Sequence, residues 1–421
     1  MTSGRPRWRS RYERVASVRT DITPYVPLFF GTGVTGTAER GIAALTVKAT
    51  TGELRLVSNG EQPLAWTLGV YAKEDAREQQ RAGVIVSLPN DGLPLDEALH
   101  TTPARVRAQA LLGHAGWKFL PEWALQAGLR YYRSENQTQV RFDTTSVIFP
   151  GFTAGGVRDS GSRASATSPK VGLSWTPSPA QLVFAAVSTG FRDGDSNFQP
   201  PGHPEGNAAY GPEAVRAVEL GLKSQPWDWL TLNASVFRND WTDLQLPFVT
   251  SDGLFGYIQN AGRTRATGAE LEAVARPTAG LRVGLNLATA DAIIEDSRSS
   301  NGGAELSGNR VPFSPRLQVS ISASQRFALS SGLQAQLAAN WAHRSATESE
   351  PTNDRRLRNP ASHLLYMQVG VNGAAWAGKL YVANATNSTA SLKRTAGGAG
   401  GVVEVSYPQP RTVGVELSAI F

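Results

Sequence analysis

The sequence contains no cysteine, and only 18% of its 421 residues are charged. Without cysteine the chain has no disulfide scaffold, no thiolate metal ligand and no cysteine nucleophile. The charged fraction lies below the roughly 25% of an average soluble domain. No stretch approaches the ~18 consecutive apolar residues that a membrane-spanning helix needs. Two classes remain: a weakly charged globular protein and a transmembrane β-barrel, which composition alone does not reveal.

The chain is rich in glycine, with 42 residues, and it has a strongly basic start. The net charge is +6, and six arginines fall within the first nineteen residues: Arg5, Arg7, Arg9, Arg11, Arg14 and Arg19. Such an arm can bind phosphates or lipid head groups, but we expect a poorly ordered chain end. No apolar segment follows, as a secretory signal peptide would require. Either the protein stays inside the cell or its true N-terminus precedes this sequence, and the rest of the chain has to decide.

Apolar and polar residues alternate with period two along many segments. The run from Leu317 to Phe327 places Leu, Val, Ile, Ala and Phe on one face and Gln, Ser and Arg on the other. The same pattern recurs over residues 230–236, 281–287 and 412–421. It predicts β-strands that have one apolar face and one wet face.

The connections between these segments alternate in length. Short turns recur roughly every 50 residues, as expected for hairpins of transmembrane barrels, near residues 59–63, 120–122, 177–180, 225–229, 277–280, 329–332 and 374–377. Long polar stretches lie between them, at 134–168, 191–215, 291–314, 343–361 and 384–410. All long loops therefore lie at one rim and all short turns at the other. Outer-membrane barrels have this asymmetry, whereas a soluble β-sandwich places loops of mixed length at both ends.

The aromatic residues follow the same asymmetry. Of the ten tryptophans, seven lie beside the short turns, and we predict that they form a girdle at the membrane interface: Trp66, Trp117, Trp123, Trp175, Trp227, Trp229 and Trp376. Packing in a soluble core would not cluster them at one rim. The last strand leads from a long loop to Phe421, so it ends on the short-turn, periplasmic side. A terminal aromatic residue resembles the signal that the outer-membrane barrel assembly machinery reads.

Several stretches resemble the barrel of TonB-dependent outer-membrane receptors. They occur in the family's order over residues 45–421, namely 52–58 with 66–71, 188–194, 219–224 with 230–237, 260–262 with 268–272, 380–386, and 410–412 leading to the C-terminus. The resemblance implies an all-β, antiparallel transmembrane barrel, integral to the outer membrane of a Gram-negative bacterium. It also implies contact with lipid and lipopolysaccharide, and a small-molecule substrate such as a metal chelate. A TonB-type energising complex is implied as a partner if the full-length protein has a plug.

The strand count departs from the family pattern. We count about 15–16 strands, where receptors of this type have barrels of about 22 strands around a plug. We expect a basic, poorly ordered segment at residues 1–44, with a possible extra strand within residues 22–35, and a receptor-like barrel at residues 45–421. Because a plug and several strands are not recognisable, we expect the sequence to be part of a longer receptor.

Charged residues of the long loops are the candidate ligand contacts: Arg192, Asp193, Asp195, Arg355, Arg356 and Arg358. Arginine offers forked donors to the carboxylate or catecholate oxygens of a chelate. Solvated loop charge, or binding to lipopolysaccharide phosphates, explains them equally simply and is our preferred interpretation. Tyr210 and Tyr257 are further rim candidates. Four charged strand residues should face the lumen in a structural role: Glu219, Lys223, Glu270 and Glu272.

Catalytic, metal and nucleic-acid functions have no support in the sequence. The five histidines show no i,i+2 or i,i+4 pairing, and neither a G-x-S-x-G elbow nor a P-loop is present. We therefore predict no enzyme activity, no cofactor, no metal ligands and no nucleic-acid partner. The leading hypothesis is TonB-dependent uptake of a scarce solute such as a ferric siderophore or cobalamin. The alternatives are a passive porin-like channel or inactive truncated barrel and, less favoured, a soluble or surface-displayed β-protein.

Overall fold

The computed structural model describes residues 8–14, 18–21, 37–59, 62–87, 94–142, 155–197, 209–249, 256–297, 305–329, 332–397 and 402–419. Most of this part of the chain is strand, as the period-two pattern predicts. A search of the described residues finds no helix with the length and apolar character needed to cross a membrane.

The strands are bounded as follows: β1 Trp8–Arg14, β2 Val18–Asp21, β3 Thr37–Val57, β4 Leu64–Ser87, β5 Pro94–Leu120, β6 Trp123–Phe142, β7 Val157–Ser178, β8 Gln181–Arg192, β9 Asp195–Ser196, β10 Ala209–Tyr210, β11 Glu213–Trp227, β12 Leu230–Thr242, β13 Gln245–Val249, β14 Gly256–Asn260, β15 Arg263–Ala275, β16 Leu281–Asp296, β17 Leu317–Ala328, β18 Gln334–Arg344, β19 Ser362–Asn372, β20 Trp376–Ala383, β21 Lys393–Gly397, β22 Val402–Ser406 and β23 Thr412–Ala419. One short 3₁₀ helix, Arg355–Leu357, lies between β18 and β19.

Seventeen of these strands form one antiparallel sheet. From β3 to β23 each strand of the sheet pairs with the next, and three two-stranded hairpins (β9–β10, β13–β14 and β21–β22) lie in the long connections. β1 and β2 both pair with β3, along successive parts of its length. The seventeen strands therefore occupy sixteen positions, and the predicted all-β antiparallel barrel of 15–16 strands is confirmed.

The start of the sheet lies upstream of the boundary expected at residue 45. β1, β2 and the first residues of β3 fall within the segment expected to be poorly ordered. They form because the polar and apolar residues of Trp8–Arg14 pair residue by residue with β3, from Trp8 opposite Thr51 to Arg14 opposite Leu45. The extra strand was expected within residues 22–35, which lie outside the described residues.

The outer face of the sheet exposes a continuous band of large apolar side chains. Val70, Leu111 and Tyr131 pair directly across β4, β5 and β6, so they share one face. Leu111 is 59% exposed and Tyr131 48% exposed. Water would make this arrangement costly, whereas hydrocarbon chains make it favourable. The band therefore identifies the lipid-facing side of the strands.

Bulky aromatic residues on the inner face explain the glycines of two family motifs. The ring of Phe184 lies against Gly221, and that of Phe237 lies against Gly268. A methyl group on either glycine would overlap the ring on the neighbouring strand. Tyr381 covers Gly414 in the same way. Glycine therefore makes room for an aromatic ring across the strand pair at each of these positions.

Candidate functional site: the loop rim and the inner wall

Two parts of the molecule carry polar side chains away from the lipid-facing band. One is the rim formed by the long connections, and the other is the inner wall of the sheet. The rim contains all of the ligand candidates that the sequence indicated. We describe its two halves first.

The first half of the rim is anchored by aspartates at the end of β8. Asp193 accepts hydrogen bonds from the hydroxyls of Tyr132 (3.2 Å) and Ser134 (2.7 Å). Asp195 accepts one from Nδ2 of Asn136 at 2.6 Å. All three donors lie on the inner face of β6, because they alternate with the outward-facing Tyr131. The two carboxylates therefore fasten the turn after β8 to the inner wall.

Arg192 joins the same part of the rim to the β13–β14 hairpin. Its guanidinium lies 2.9 Å from Oε2 of Glu213 and donates to the backbone oxygen of Gln245. The amide nitrogen of Gln245 donates to the same Glu213 oxygen, at 2.6 Å. The side chain of Gln245 then reaches the backbone oxygens of Asp193 and Gly211. A polar network therefore holds the loop in one conformation.

The family motif at residues 260–262 completes this network. Asn260 accepts a hydrogen bond from the amide of Gly211 at 2.7 Å and donates to the backbone oxygens of Gly211 and Asp243. Gly262 has a φ of +87°, a left-handed conformation that glycine adopts without strain. Asn260 thus ties the end of β14 to the residues just before β11 and β13.

The two rim tyrosines are packed into this half. Burial, with the nearby Asp195 carboxylate, raises the pKa of Tyr210 above its usual value. Tyr257 stacks on Phe248, with ring centroids 5.7 Å apart. Both rings therefore contribute to the loop architecture.

The second half of the rim carries the arginine cluster on the short 3₁₀ helix. Asp354 caps this helix by accepting from the backbone amide of Arg356, whose guanidinium lies 2.6 Å from the same carboxylate. These hydrogen bonds hold the pKa of Asp354 below its usual range. Arg358 lies 3.3 Å from Oε1 of Glu348. Arg355 is exposed and makes no ion pair with the residues that the structure describes.

A buried asparagine that the sequence analysis missed organises this half. Asn359 is fully buried, and its Nδ2 donates to Oγ of Ser349 at 2.8 Å. Its Oδ1 accepts from Oγ of Ser391 at 3.3 Å, and its backbone pairs with that of Thr347. The loop between β18 and β19 is thereby joined to the loop after β20. The Asn-Pro dipeptide at 359–360 indicates a turn, but no local signal shows that its side chain is a buried hub.

Below the rim, the inner wall bears a cavity of about 600 Å³, lined by both charged and apolar residues. The four charged residues expected to face the lumen, Glu219, Lys223, Glu270 and Glu272, all line it. They lie on the face opposite the exposed Leu220 and Val236. Asn233 donates to Oε2 of Glu272 at 3.1 Å. Charges of both signs are thus placed away from lipid, where a charge at the membrane midplane would cost about 2–4 kcal/mol.

Comparison with known proteins places this architecture in a family. The family model described as TonB dependent receptor-like, beta-barrel matches residues 6–389. The chain belongs to this family. TonB-dependent receptors are receptors and transporters of the outer membrane, and the family and its solved members are not enzymes.

Solved structures of TonB-dependent receptors share the fold at low sequence identity. The ferric yersiniabactin uptake receptor FyuA of Yersinia pestis is 18% identical, with a TM-score of 0.71 over 91% of this chain and 57% of that one. The ferric-catecholate import receptor Fiu of E. coli K12 is 14% identical, with a TM-score of 0.65 over 90% and 56%. The ferric preacinetobactin receptor BauA of Acinetobacter baumannii is 15% identical, with a TM-score of 0.61 over 91% and 56%. The present chain therefore spans little more than half the length of these receptors.

The predicted girdle residues lie at strand ends next to the short turns. Trp123 stacks on Trp175 with centroids 5.7 Å apart, and Trp227 stacks on Trp229 at 5.4 Å. Trp66, Trp117 and Trp376 are exposed on strands β4, β5 and β20. Their role as a membrane-interface girdle stays a prediction. Phe421, the predicted assembly signal, lies outside the described residues.

Proposed function

We propose that this chain is the barrel portion of a TonB-dependent importer that takes up a scarce solute such as a ferric siderophore or cobalamin. The charged residues that line the cavity on the inner wall, beneath a rim of tightly folded loops, are the observation that carries the proposal. A passage lined by Glu219, Lys223, Glu270 and Glu272 lets a hydrated or charged solute cross without meeting lipid. The receptors of similar fold are named for ferric chelates, which supports this substrate class.

In the proposed mechanism the rim captures the solute and the inner wall conducts it. No bond is made or broken, so the chain needs only donors and acceptors in suitable positions. The energy comes from a TonB-type complex acting through a plug. The barrel itself lies in lipid and lipopolysaccharide, where it is inserted by the assembly machinery.

Arg355 is the strongest rim contact for an anionic chelate among the candidates. Arg356 and Arg358 already face carboxylates, and Arg192, Asp193 and Asp195 hold the loop network. The short helix places Arg355 beside these paired arginines. A chelate carboxylate or catecholate can accept from Arg355 directly and gains from the neighbouring positive charge.

The test is uptake of radiolabelled iron by receptor-deficient Gram-negative cells that express the chain together with a plug, as one receptor. Cells receive a panel of ferric chelates, with and without an intact TonB system. We expect uptake of at least one chelate that disappears without TonB. The variant Arg355→Gln should reduce uptake at low chelate concentration, while Arg276→Gln, an exposed arginine beside a short turn, should not.

The porin-like alternative gives the opposite pattern. Uptake would then be equal with and without TonB. The purified chain would also conduct ions continuously in a planar bilayer. That pair of results would replace the importer with a passive channel.

A further inference from the structure

Two histidines face each other on the outer side of the sheet, at the rim end of β18 and β19. His343 and His363 are direct cross-strand partners. Their rings stack with centroids 4.5 Å apart, and their Nδ1 atoms are 3.2 Å apart. They are twenty residues apart in sequence, so no local spacing pattern reveals them.

The pair lies at the boundary of the lipid-facing band. Trp341 precedes His343 by two residues on the same face and pairs with Ile321, which is 44% exposed. The next residue along β17 on that face, Val319, pairs with His343. The histidines thus lie one step beyond the apolar rows, toward the loop rim. Strand alternation turns both imidazoles to the face of Trp341 and Ile321, although His343 itself borders the cavity on the inner wall.

The surrounding backbone holds the two rings in place. Ser345 and Leu317 exchange two hydrogen bonds just beyond His343, at 2.9 and 3.1 Å. The hydroxyl of Thr386 donates to the backbone oxygen of His363 at 3.1 Å. The Trp341 ring packs near both imidazoles, with centroids 6.1 and 5.9 Å away. The strand pairing therefore holds the backbones of His343 and His363 opposite each other, and the imidazoles turn about their side-chain torsions.

The geometry points to a site for one divalent transition-metal ion, best fitted by Zn²⁺, bound by Nδ1 of His343 and Nδ1 of His363. With Zn–N distances of about 2.0–2.1 Å, nitrogens 3.2 Å apart subtend about 100–106° at the metal, close to the tetrahedral angle. The two ring planes are inclined by only 29°, so both rings have to rotate about the soft χ2 torsion before their lone pairs meet at one ion. Water completes the coordination.

The chemistry of the pair favours such an ion over other ligands. Two neutral imidazoles at this distance bring two nitrogen lone pairs together, unless the Nδ1–H of one ring donates a hydrogen bond to Nδ1 of the other. A metal ion satisfies both nitrogens at once. Imidazole suits Zn²⁺, Ni²⁺ and Cu²⁺, whereas Mg²⁺ and Ca²⁺ prefer oxygen ligands. The bound ion would link β18 to β19 at the base of the loop that carries Arg355.

The test is titration of the purified full chain in lipid nanodiscs after chelator treatment. Isothermal titration calorimetry should detect about one Zn²⁺ per chain and no binding of Mg²⁺ at the same concentrations. His343→Ala and His363→Ala should each weaken Zn²⁺ binding roughly tenfold or more, because one nitrogen cannot chelate. His114→Ala, which removes a histidine of β5 that pairs with Thr67 and Gly128, should leave binding unchanged.

Tryptophan emission gives a second readout that reports location. Ni²⁺ bound at the pair should quench Trp341, and the change should disappear in both Trp341→Phe and His363→Gln. Heat-modifiable mobility on gels establishes that each variant is folded. Absence of Zn²⁺ binding by the folded wild-type chain overturns the proposal. Equal binding by the folded His343 and His363 variants overturns it as well.

Discussion

The two ends of the sheet reach the rim in different ways. Strands β3 to β7 are 20 to 27 residues long, well beyond the ~9–11 residues that cross a bilayer. Strands β17 to β20 are only 8 to 12 residues long, and compact loops continue from them. One side of the molecule therefore projects as extended sheet and the other as folded loop.

The interactions above the membrane differ accordingly. On the long strands Glu74, Arg107, Glu135 and Arg163 pair in sequence across β4 to β7, an outward ladder of alternating charge. Such exposed pairs are screened by water and salt and add little to stability. On the short side the loops close around a fully buried Asn359. Stability there comes from buried hydrogen bonds, which cost more to lose.

The largest expected effect comes from placing a charge on the outer face of a long strand, and it shows how far along the strand the lipid-facing band extends. Leu129→Arg places a charge in the apolar band of β6, where Leu129 is 54% exposed. We expect a loss of about 2–4 kcal/mol in the free energy of unfolding from lipid vesicles. Gln137→Arg, on the same face beyond Glu135, should cost less than about 1 kcal/mol. Equal losses in a urea titration would mean that the whole strand lies in one environment.

The next prediction compares two strand glycines, one packed against an aromatic ring and one with open space beside it. Gly268→Ala drives a methyl group into Phe237 and the backbone oxygen of Thr289, so we expect a cost of about 1–3 kcal/mol. Gly116→Ala on β5 meets no atom within 4 Å and should be close to neutral. The shift in the denaturation midpoint of the folded barrel measures both. A stable Gly268→Ala variant would contradict the tight aromatic packing.

Asn359→Ala should loosen the compact half of the rim while the sheet stays intact. Ser349 and Ser391 lose their partner, at a cost of about 1–2 kcal/mol confined to the loops. Hydrogen exchange should quicken in residues 345–361 and 384–394 only. The matched change on the long strands, Gln109→Ala, alters an exposed side chain and should change nothing. Faster exchange throughout the sheet would show that the loop and the sheet unfold together.

The smallest effect is the pH dependence of the short helix. The pKa of Asp354 is lower in the folded state than in the unfolded state. The stability that its carboxylate contributes is therefore complete above the unfolded pKa, and it is lost as pH falls through the folded pKa. We expect the protection factors of the Arg356 and Leu357 amides, which correct exchange for its intrinsic pH dependence, to be constant from neutral pH down to about 5 and to fall only below about 4. In Asp354→Asn this acid-dependent step should be absent. A step of equal size in that variant would assign it to another group.

Sequence patterns predicted the fold more completely than the site. Period-two alternation, alternating loop lengths and the placement of tryptophan all depend on the contrast between lipid, water and lumen, which acts on every strand. They identified the lumen-facing Glu219, Lys223, Glu270 and Glu272. They did not show that Arg192 and Arg358 already face the carboxylates of Glu213 and Glu348, because these partners lie 21 and 10 residues away in the chain.

By itself the sequence determined the strands, their two faces, the rim on which the long loops lie and the family. These properties are local or repeat along the chain, so the sequence of each hairpin shows the same pattern. Only the tertiary structure decided the role of Asn359, the aromatic rings over Gly221 and Gly268, and the opposition of His343 and His363. Those contacts depend on cross-strand register and on loops that meet far from one another in sequence, which no local pattern encodes.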